Sequence, residues 1–405
     1  MITDGFGLTT LPTPKTDSRP REVVLAFDSF KGSLSSEEAC RCVGEALHAK
    51  FGTSIRVIHI PMSDGGEGSL DLLAPLLGLD VVRVDSVDAL GRPITCEYLL
   101  DTLKSVAYIE VARTAGLPQV SDVPLKPLEA SSFGVGVIIA DALRRGAQEL
   151  NIFLGGSATT DGGAGLVSAL GVKLIGRGGM ELSPGGGALG ELERVDTEHV
   201  NPSVFSAQWR FITDIDAHLT GENGPARRYS PQKGAQPGDV QILERSIEHL
   251  ARVLETQHGC NLRNLAGIGA AGGMAALPAA LFETSFQRGG MFFATQLGLV
   301  DAMKTADIVV TGEGAFDQQS LDGKVVGTIA ELVAQHERVI PVVVIAGDVS
   351  EAPSGDVPGI TAVFSIAEGA VSREELFVNA RSLLTRQALN VVSLFLQTRI
   401  PGRDD

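Results

Sequence analysis

Glu22-Val23-Val24-Leu25-Ala26-Phe27-Asp28-Ser29-Phe30-Lys31-Gly32-Ser33-Leu34-Ser35-Ser36-Glu37-Glu38 is the stretch whose reading decides the fold. Val23 to Phe27 form a short unbroken apolar run, which suits a strand buried on both faces of a parallel sheet. A polar, cationic, glycine-bearing loop follows it. Ser35-x-x-Glu38 then reads as a capping box that starts a helix, and Ala39, Val43, Ala46 and Leu47 recur at helical spacing. The pattern repeats at once. Ile55 to Ile60 reads as a second strand, Met62-Ser63-Asp64-Gly65-Gly66-Glu67-Gly68 as a loop, and Leu70, Leu73 and Leu77 as the buried stripe of a second helix. Strand, loop and helix twice in succession predict the opening of a parallel α/β sheet.

Outward from there the rhythm changes. Residues 81–84, 94–100 and 106–111 are strand-like with only short turns between them, which predicts a mixed or antiparallel sheet and the start of an inserted second domain. Helix, strand and glycine-rich loop return over 136–146, 151–154 and 155–165, and a periodic helix spans about 240–256. The first rhythm resumes with a strand at 306–311, a helix over about 324–337, strands at 341–346 and 360–365, and a closing helix over about 373–397. The expected organisation is a parallel-sheet α/β domain built from 21–79 and 266–405, interrupted by an inserted α/β domain with a mixed sheet over 80–265. A disordered lead-in rich in Thr, Pro and Gly precedes them over 1–20.

Composition narrows the function classes. With 44% hydrophobic and 20% charged residues the 405-residue chain is of globular type. Its 33 Lys+Arg against 49 Asp+Glu give a net charge of −16. Such a surface repels nucleic acid and anionic lipid at long range, so neither is expected as a partner. A negative protein can still bind a small anionic metabolite, through local cations, backbone N–H groups or a bridging metal. Cys40, Cys42, Cys96 and Cys260 match neither zinc spacing nor a dense disulfide framework. Free thiols, the lack of a secretory h-region and the lack of an apolar run near the ~20 residues of a membrane span suit a cytoplasmic protein.

Parallel sheets bind ligands where strands end and helices begin, and five such loops carry acids, glycines or lysines together. They are Asp28-Ser29-Phe30-Lys31, Asp64-Gly65-Gly66-Glu67-Gly68, the loop from Gly155-Gly156-Ser157 through Asp161 to Gly165, Thr213-Asp214-Ile215-Asp216 with Pro231-Gln232-Lys233-Gly234 downstream, and Gly312-Glu313-Gly314 running on to Asp317. Phosphoryl transfer wants this mixture: carboxylates for Mg²⁺, cations for phosphate oxygens, and N–H groups at helix starts. Each loop alone could be a helix cap or a plain turn; five together point to an active-site cleft. Gly267-Ile268-Gly269-Ala270-Ala271-Gly272 matches a dinucleotide fingerprint in letters, but no strand pattern precedes it. Gly323-Lys324 lacks the earlier glycine of a Walker loop, and the protein-kinase signatures are absent.

The segments 28–35, 63–68, 155–159, 161–165, 231–235 and 311–314, in this order, resemble the glycerate kinase family over about 23–395. That resemblance implies a Rossmann-like domain interrupted by a second α/β domain, Mg·ATP as donor, and D-glycerate as acceptor with 2-phosphoglycerate as product. It suits a monomer or homodimer. On this reading Asp214 and Glu313 hold Mg²⁺, and Lys31 and Lys233 neutralise the transferring phosphate. Asp64 or Asp317 takes the hydroxyl proton. Asp28, Ser29, Glu67, Gly155, Gly156, Ser157, Asp161 and Gly312 line the phosphate and substrate sites, while Arg113 or Arg288 meets the substrate carboxylate. The sequence departs from the family where Phe27 replaces a Pro, where Ala217-His218-Leu219 replaces Asn-Pro-Leu, and where Val325-Val326-Gly327 stands near an expected Pro. The second departure bears on substrate choice and keeps a kinase of a related hydroxy acid open. Other readings are a phosphatase or isomerase of phosphorylated acids, a silent metabolite-binding protein and, last, a dehydrogenase.

Overall fold

Val23 to Phe27 are fully buried, as a two-faced apolar run requires, and lie in strand β1 (Arg21–Phe27). The computed structural model describes residues 19–353, 355–367, 369 and 372–397. The expected lead-in therefore lies, up to residue 18, outside the described residues. In chain order come β2 (Ile55–His59), β3 (Asp80–Val87), β4 (Pro93–Asp101), β5 (Val106–Glu110) and β6 (Glu149–Phe153). A hairpin, β7 (Lys173–Gly176) and β8 (Leu192–Asp196), precedes β9 (Gln208–Thr213) and β10 (Thr284–Arg288). β11 (Ile308–Gly312), β12 (Val342–Ala346) and β13 (Ala362–Ser365) complete the set.

The first sheet is parallel throughout, in the order β13-β12-β11-β1-β2. The capping box predicted after β1 is formed: Ser35 Oγ accepts from Glu38 N–H at 3.1 Å and Glu38 Oε2 accepts from Ser35 N–H at 3.0 Å, starting the helix Ser36–Phe51. The second sheet runs β10-β9-β6-β5-β4-β3 and is mixed, with β3–β4 and β4–β5 antiparallel and the remaining pairs parallel. The chain stays with this sheet past the expected junction at 265/266. Thr284 to Arg288 pair in register with Trp209 to Thr213. This edge strand is only partly buried and carries one apolar residue, Phe286, so it leaves no periodic signal.

The alternation along β1 divides the interior, because successive strand residues face opposite sides. Val23, Leu25 and Phe27 join the core under the helix Ser36–Phe51 and the closing helix Arg373–Gln397. Val24 and Ala26 face a second core that also holds Tyr108, Phe153 and Ile212 of the mixed sheet, with Phe292 and Phe293 between them. The third core lies on the far face of the mixed sheet, around Ile152, Trp209 and Phe211. The middle core brings the ends of the two sheets together. A Cβ on Gly155, after β6, would lie 2.7 Å from Gly66 Cα, after β2, and a Cβ on Gly65 would lie 2.9 Å from Ile212 Cγ2. Among the described residues, no helix is long and apolar enough to cross a membrane.

Candidate active site

Four carboxylates arrive at this junction from four strand ends. Asp28 follows β1, where its N–H donates to Gly312 O at 2.9 Å and its Oδ1 accepts from Ser29 N–H at 2.6 Å. Asp64 lies in the loop after β2, with Oδ1 accepting from Gly66 N–H at 2.9 Å. Asp214 follows β9 and Glu313 follows β11. Glu313 Oε1 is buried without a hydrogen-bond partner.

These groups share one electrostatic field. Burial, then the charge of Asp64, pushes the Asp28 carboxyl well above its ordinary range, partly opposed by the Ser29 N–H. Burial and then Asp64 lift Asp214 to about 6, against the pull of Lys324 and Lys31. Burial raises Glu313 as well; the Ser320 hydroxyl and then Lys324 oppose the rise, and Asp317 and Asp64 add to it. Asp64 is thus the neighbour common to the other three.

Two cavities open at the cluster. One, of about 710 Å³, is lined by Asp28, Ser29, Lys31, Asp64 and Glu313, and also by Asp348, Ser350 and Phe377. The other, of about 600 Å³, is lined by Asp214, Asp216, Arg228, Tyr229 and Arg288. Lys324 lines both.

Among the described residues, no three His, Cys, Asp or Glu side chains gather into a ready-made metal cage. Mg²⁺ does not need one, since it is usually held by one or two carboxylates and completed by waters and phosphate oxygens. The orphaned Glu313 Oε1 and the buried, raised Asp214 are under-compensated acids, which a divalent cation would relieve. The donor set fits the ion on those terms.

Several expected site residues lie elsewhere. Lys233 lines neither cavity. It is buried, with Nζ donating to Ser157 Oγ at 2.9 Å and Thr159 O at 2.6 Å, and burial pushes it down to about 7 against the pull of Asp161. It braces the 155–165 loop from within. Asp161 is fully buried and accepts from Ser132 N–H and Oγ–H and from the Gly163 and Gly165 N–H groups, which makes it the loop's internal anchor. Asp317 caps the turn Gln318–Leu321 through the Gln319 and Ser320 N–H groups. Gly155, Gly156, Ser157, Gly312 and Glu67 line neither cavity. Gly155 and Gly312 serve close packing, the latter because a Cβ would collide with Ile345 O. Arg113 is engaged by Asp71 at 2.6 Å and Glu110 at 3.9 Å, away from both cavities, whereas Arg288 stays at a cavity wall while pairing with Glu331 at 2.7 Å. The Ala217-His218-Leu219 departure also lies off both linings: Ala217 and Leu219 are core residues, and Ala217 O accepts from Gly269 N–H at 2.9 Å.

Sequence reasoning missed Lys324 and Tyr229. The sequence signal for Lys324 is the Gly323-Lys324 pair directly before the helix Val325–Ala334, a pair that lacks Walker spacing. Tyr229 is the residue that ends the four-residue helix Pro225–Arg228, which is too short to carry an apolar period.

Comparison with known proteins agrees with this architecture. Residues 23–396 match the glycerate kinase family. The chain is 34% identical over 373 residues to a glycerate kinase of Halalkalibacterium halodurans, covering 91% of this chain and 97% of the relative. It is 32% identical over 375 residues to the glycerate 2-kinase of Escherichia coli K12, covering 92% and 97%. A crystal structure assigned to glycerate kinase 2 of Salmonella typhimurium LT2 superposes with a TM-score of 0.80 at 31% identity, over 93% of this chain and 99% of that one. Family match, relatives and fold agree over nearly the whole length: the chain belongs to the glycerate kinase family, whose members are phosphotransferases.

Proposed function

We propose that this chain transfers the γ-phosphoryl group of ATP to the 2-hydroxyl of D-glycerate, giving ADP and 2-phosphoglycerate. The observation that carries the reading is the convergence of Asp28, Asp64, Asp214 and Glu313 where two cavities adjoin. The name of the Escherichia coli relative supports the 2-hydroxyl. Asp214 and Glu313 would hold Mg²⁺, which supplies charge neutralisation at the donor's phosphate oxygens. Lys31 and the Ser29 segment face the donor cavity. Arg288 lines the other cavity and offers its guanidinium to the acceptor's carboxylate in exchange for Glu331. In the reaction the bond from the γ-phosphorus to the bridging oxygen breaks, and its electron pair leaves with ADP. A bond forms from phosphorus to the substrate hydroxyl oxygen, and the hydroxyl proton passes to Asp64. Asp64 suits the role because it is half-buried, cavity-facing and oriented by the Gly66 N–H. The free thiols at Cys40, Cys42, Cys96 and Cys260 support a reducing, cytoplasmic setting.

The test is ADP release from Mg·ATP with D-glycerate, with the product passed to enolase in the presence and absence of phosphoglycerate mutase. Enolase turnover without mutase is expected. Turnover only with mutase would move the phosphate to the 3-hydroxyl, and no glycerate-dependent ADP would overturn the assignment.

A further inference from the structure

Lys324 stands at a point where the backbone is fixed and the side chain is free to act. Gly323 before it has φ +89°, and a Cβ there would sit 3.0 Å from Arg288 Cδ. Lys324 is the residue from which the helix Val325–Ala334 starts, and its carbonyl accepts from Thr328 N–H at 2.9 Å. Gly290 of the neighbouring helix Gly289–Gln296 packs so closely that a Cβ would collide with Thr328 Oγ1. The half-buried side chain has no hydrogen bond or ion pair among the described residues. It forms part of the wall common to both cavities, and its charge acts on Asp214 in one and on Glu313 in the other. The other cations near the cluster do not share this position: Lys31 lines only the larger cavity, Arg288 only the smaller, and Lys233 is enclosed in its own loop.

We infer that Lys324 is the catalytic cation that holds the transferring phosphoryl group between donor and acceptor, the task expected from sequence of Lys31 and Lys233. The inference rests on the phosphotransferase reading above. During transfer the phosphorus loses its bond to the leaving oxygen of ADP and gains one to the substrate hydroxyl oxygen, while its three equatorial oxygens carry charge throughout. A cation reachable from one cavity alone favours one end of that path. A cation in the shared wall favours the middle, where neither oxygen is fully bonded, and so lowers the barrier without tightening either substrate.

The experiment compares Lys324→Met, Lys324→Arg and Lys31→Met with the wild-type enzyme. It reads kcat, KM for both substrates, calorimetric binding of ATP and of D-glycerate, and recovery of a Lys324→Ala variant by added ethylammonium. For Lys324→Met, kcat should fall on the order of 10²–10³-fold with both substrates still bound near wild-type affinity. Lys324→Arg should recover part of the loss, and ethylammonium should restore turnover to Lys324→Ala. An unchanged kcat in Lys324→Met, or a loss confined to KM, would overturn the inference. So would a loss that neither arginine nor the amine repairs, since that marks a packing role. If the wild-type chain releases no glycerate-dependent ADP, the phosphotransferase reading fails and takes this inference with it, an outcome visible before any variant is made.

Discussion

Asp64 raises Asp28, Asp214 and Glu313 through its charge, so substituting it changes more than one group. Asp64→Asn keeps the shape and removes the charge. Asp214, lifted to about 6 by burial and then by Asp64, should then titrate lower, readable by carbon NMR of the substrate-free carboxylates. If Asp64 also takes the hydroxyl proton, kcat should fall on the order of 10²–10⁴-fold; an unmoved Asp214 would show that the two do not share a field. Lys233 makes the opposite case. Its folded-state value of about 7 lies below the 10.5 of the unfolded chain. Between those values the unfolded state holds the proton that the native state has lost, so stability rises with pH across this window, and the penalty is full below about 7. Lys233→Met should remove that slope, so urea midpoints at pH 7 and pH 9.5 should differ less in the variant than in the wild type. Equal differences would place the ammonium in solvent contact. Lys233 also shows what residue types in sequence reveal and what they do not. Pro231-Gln232-Lys233-Gly234 reads the same whether Nζ faces a cavity or the Ser157 hydroxyl, because that choice depends on the fold of a loop some 75 residues away.

Elements were legible where burial imposes a period. β1, β11 and β12 are apolar on both faces and stood out as unbroken runs, and the helix Ser36–Phe51 announced itself by its capping box. β10 did not, since Thr284-Ser285-Phe286-Gln287-Arg288 is a half-exposed edge whose place is set by pairing with β9 alone. The glycine-rich loops are legible in sequence, but the contacts they make are not. Gly155 lets the turn after β6 touch the Gly66 backbone, and that loop carries Asp64. Gly155→Ala would place a Cβ 2.7 Å from Gly66 Cα, a contact of backbone that no rotamer can relieve. Because small misplacements of reacting groups cost rate steeply, kcat should drop by roughly tenfold or more. The helix Ser69–Leu77 should stay in place, since Glu110 at the end of β5 accepts the Gly68 and Leu70 N–H groups at 3.0 and 3.3 Å. Far-ultraviolet circular dichroism and steady-state kinetics on the same sample check this. Unchanged kinetics would mean that the two loops can separate without moving Asp64.

At the scale of the whole molecule, the middle core is what makes one machine of two sheets. The parallel and mixed sheets were each foreseeable from local rhythm, but their common interior was not, because its central residues, Phe292 and Phe293, sit in the short helix Gly289–Gln296 that is apolar on most sides and shows no stripe. In the structure Phe292 lies edge-on to Phe153 of β6 at 5.4 Å and to Tyr108 of β5 at 6.4 Å, while the same core takes in Val24 and Ala26 of β1. Cutting Phe292 to Ala should cost about 3–5 kcal/mol, the usual range for a buried phenylalanine. The place of that cost matters more than its size. If the shared core couples the sheets, the wild type unfolds in one calorimetric transition, and Phe292→Ala lowers that transition as a whole. If each sheet is stable on its own, the variant should split the trace, leaving one transition at its original temperature. Asp28, Asp64 and Glu313 hang from one sheet and Asp214 from the other. Loosening the core should therefore also weaken turnover below the melting range, where both sheets remain folded but no longer hold the four carboxylates in register. A variant that melts earlier yet keeps full kcat at low temperature would show that the cleft is aligned by its loops and not by the core beneath them.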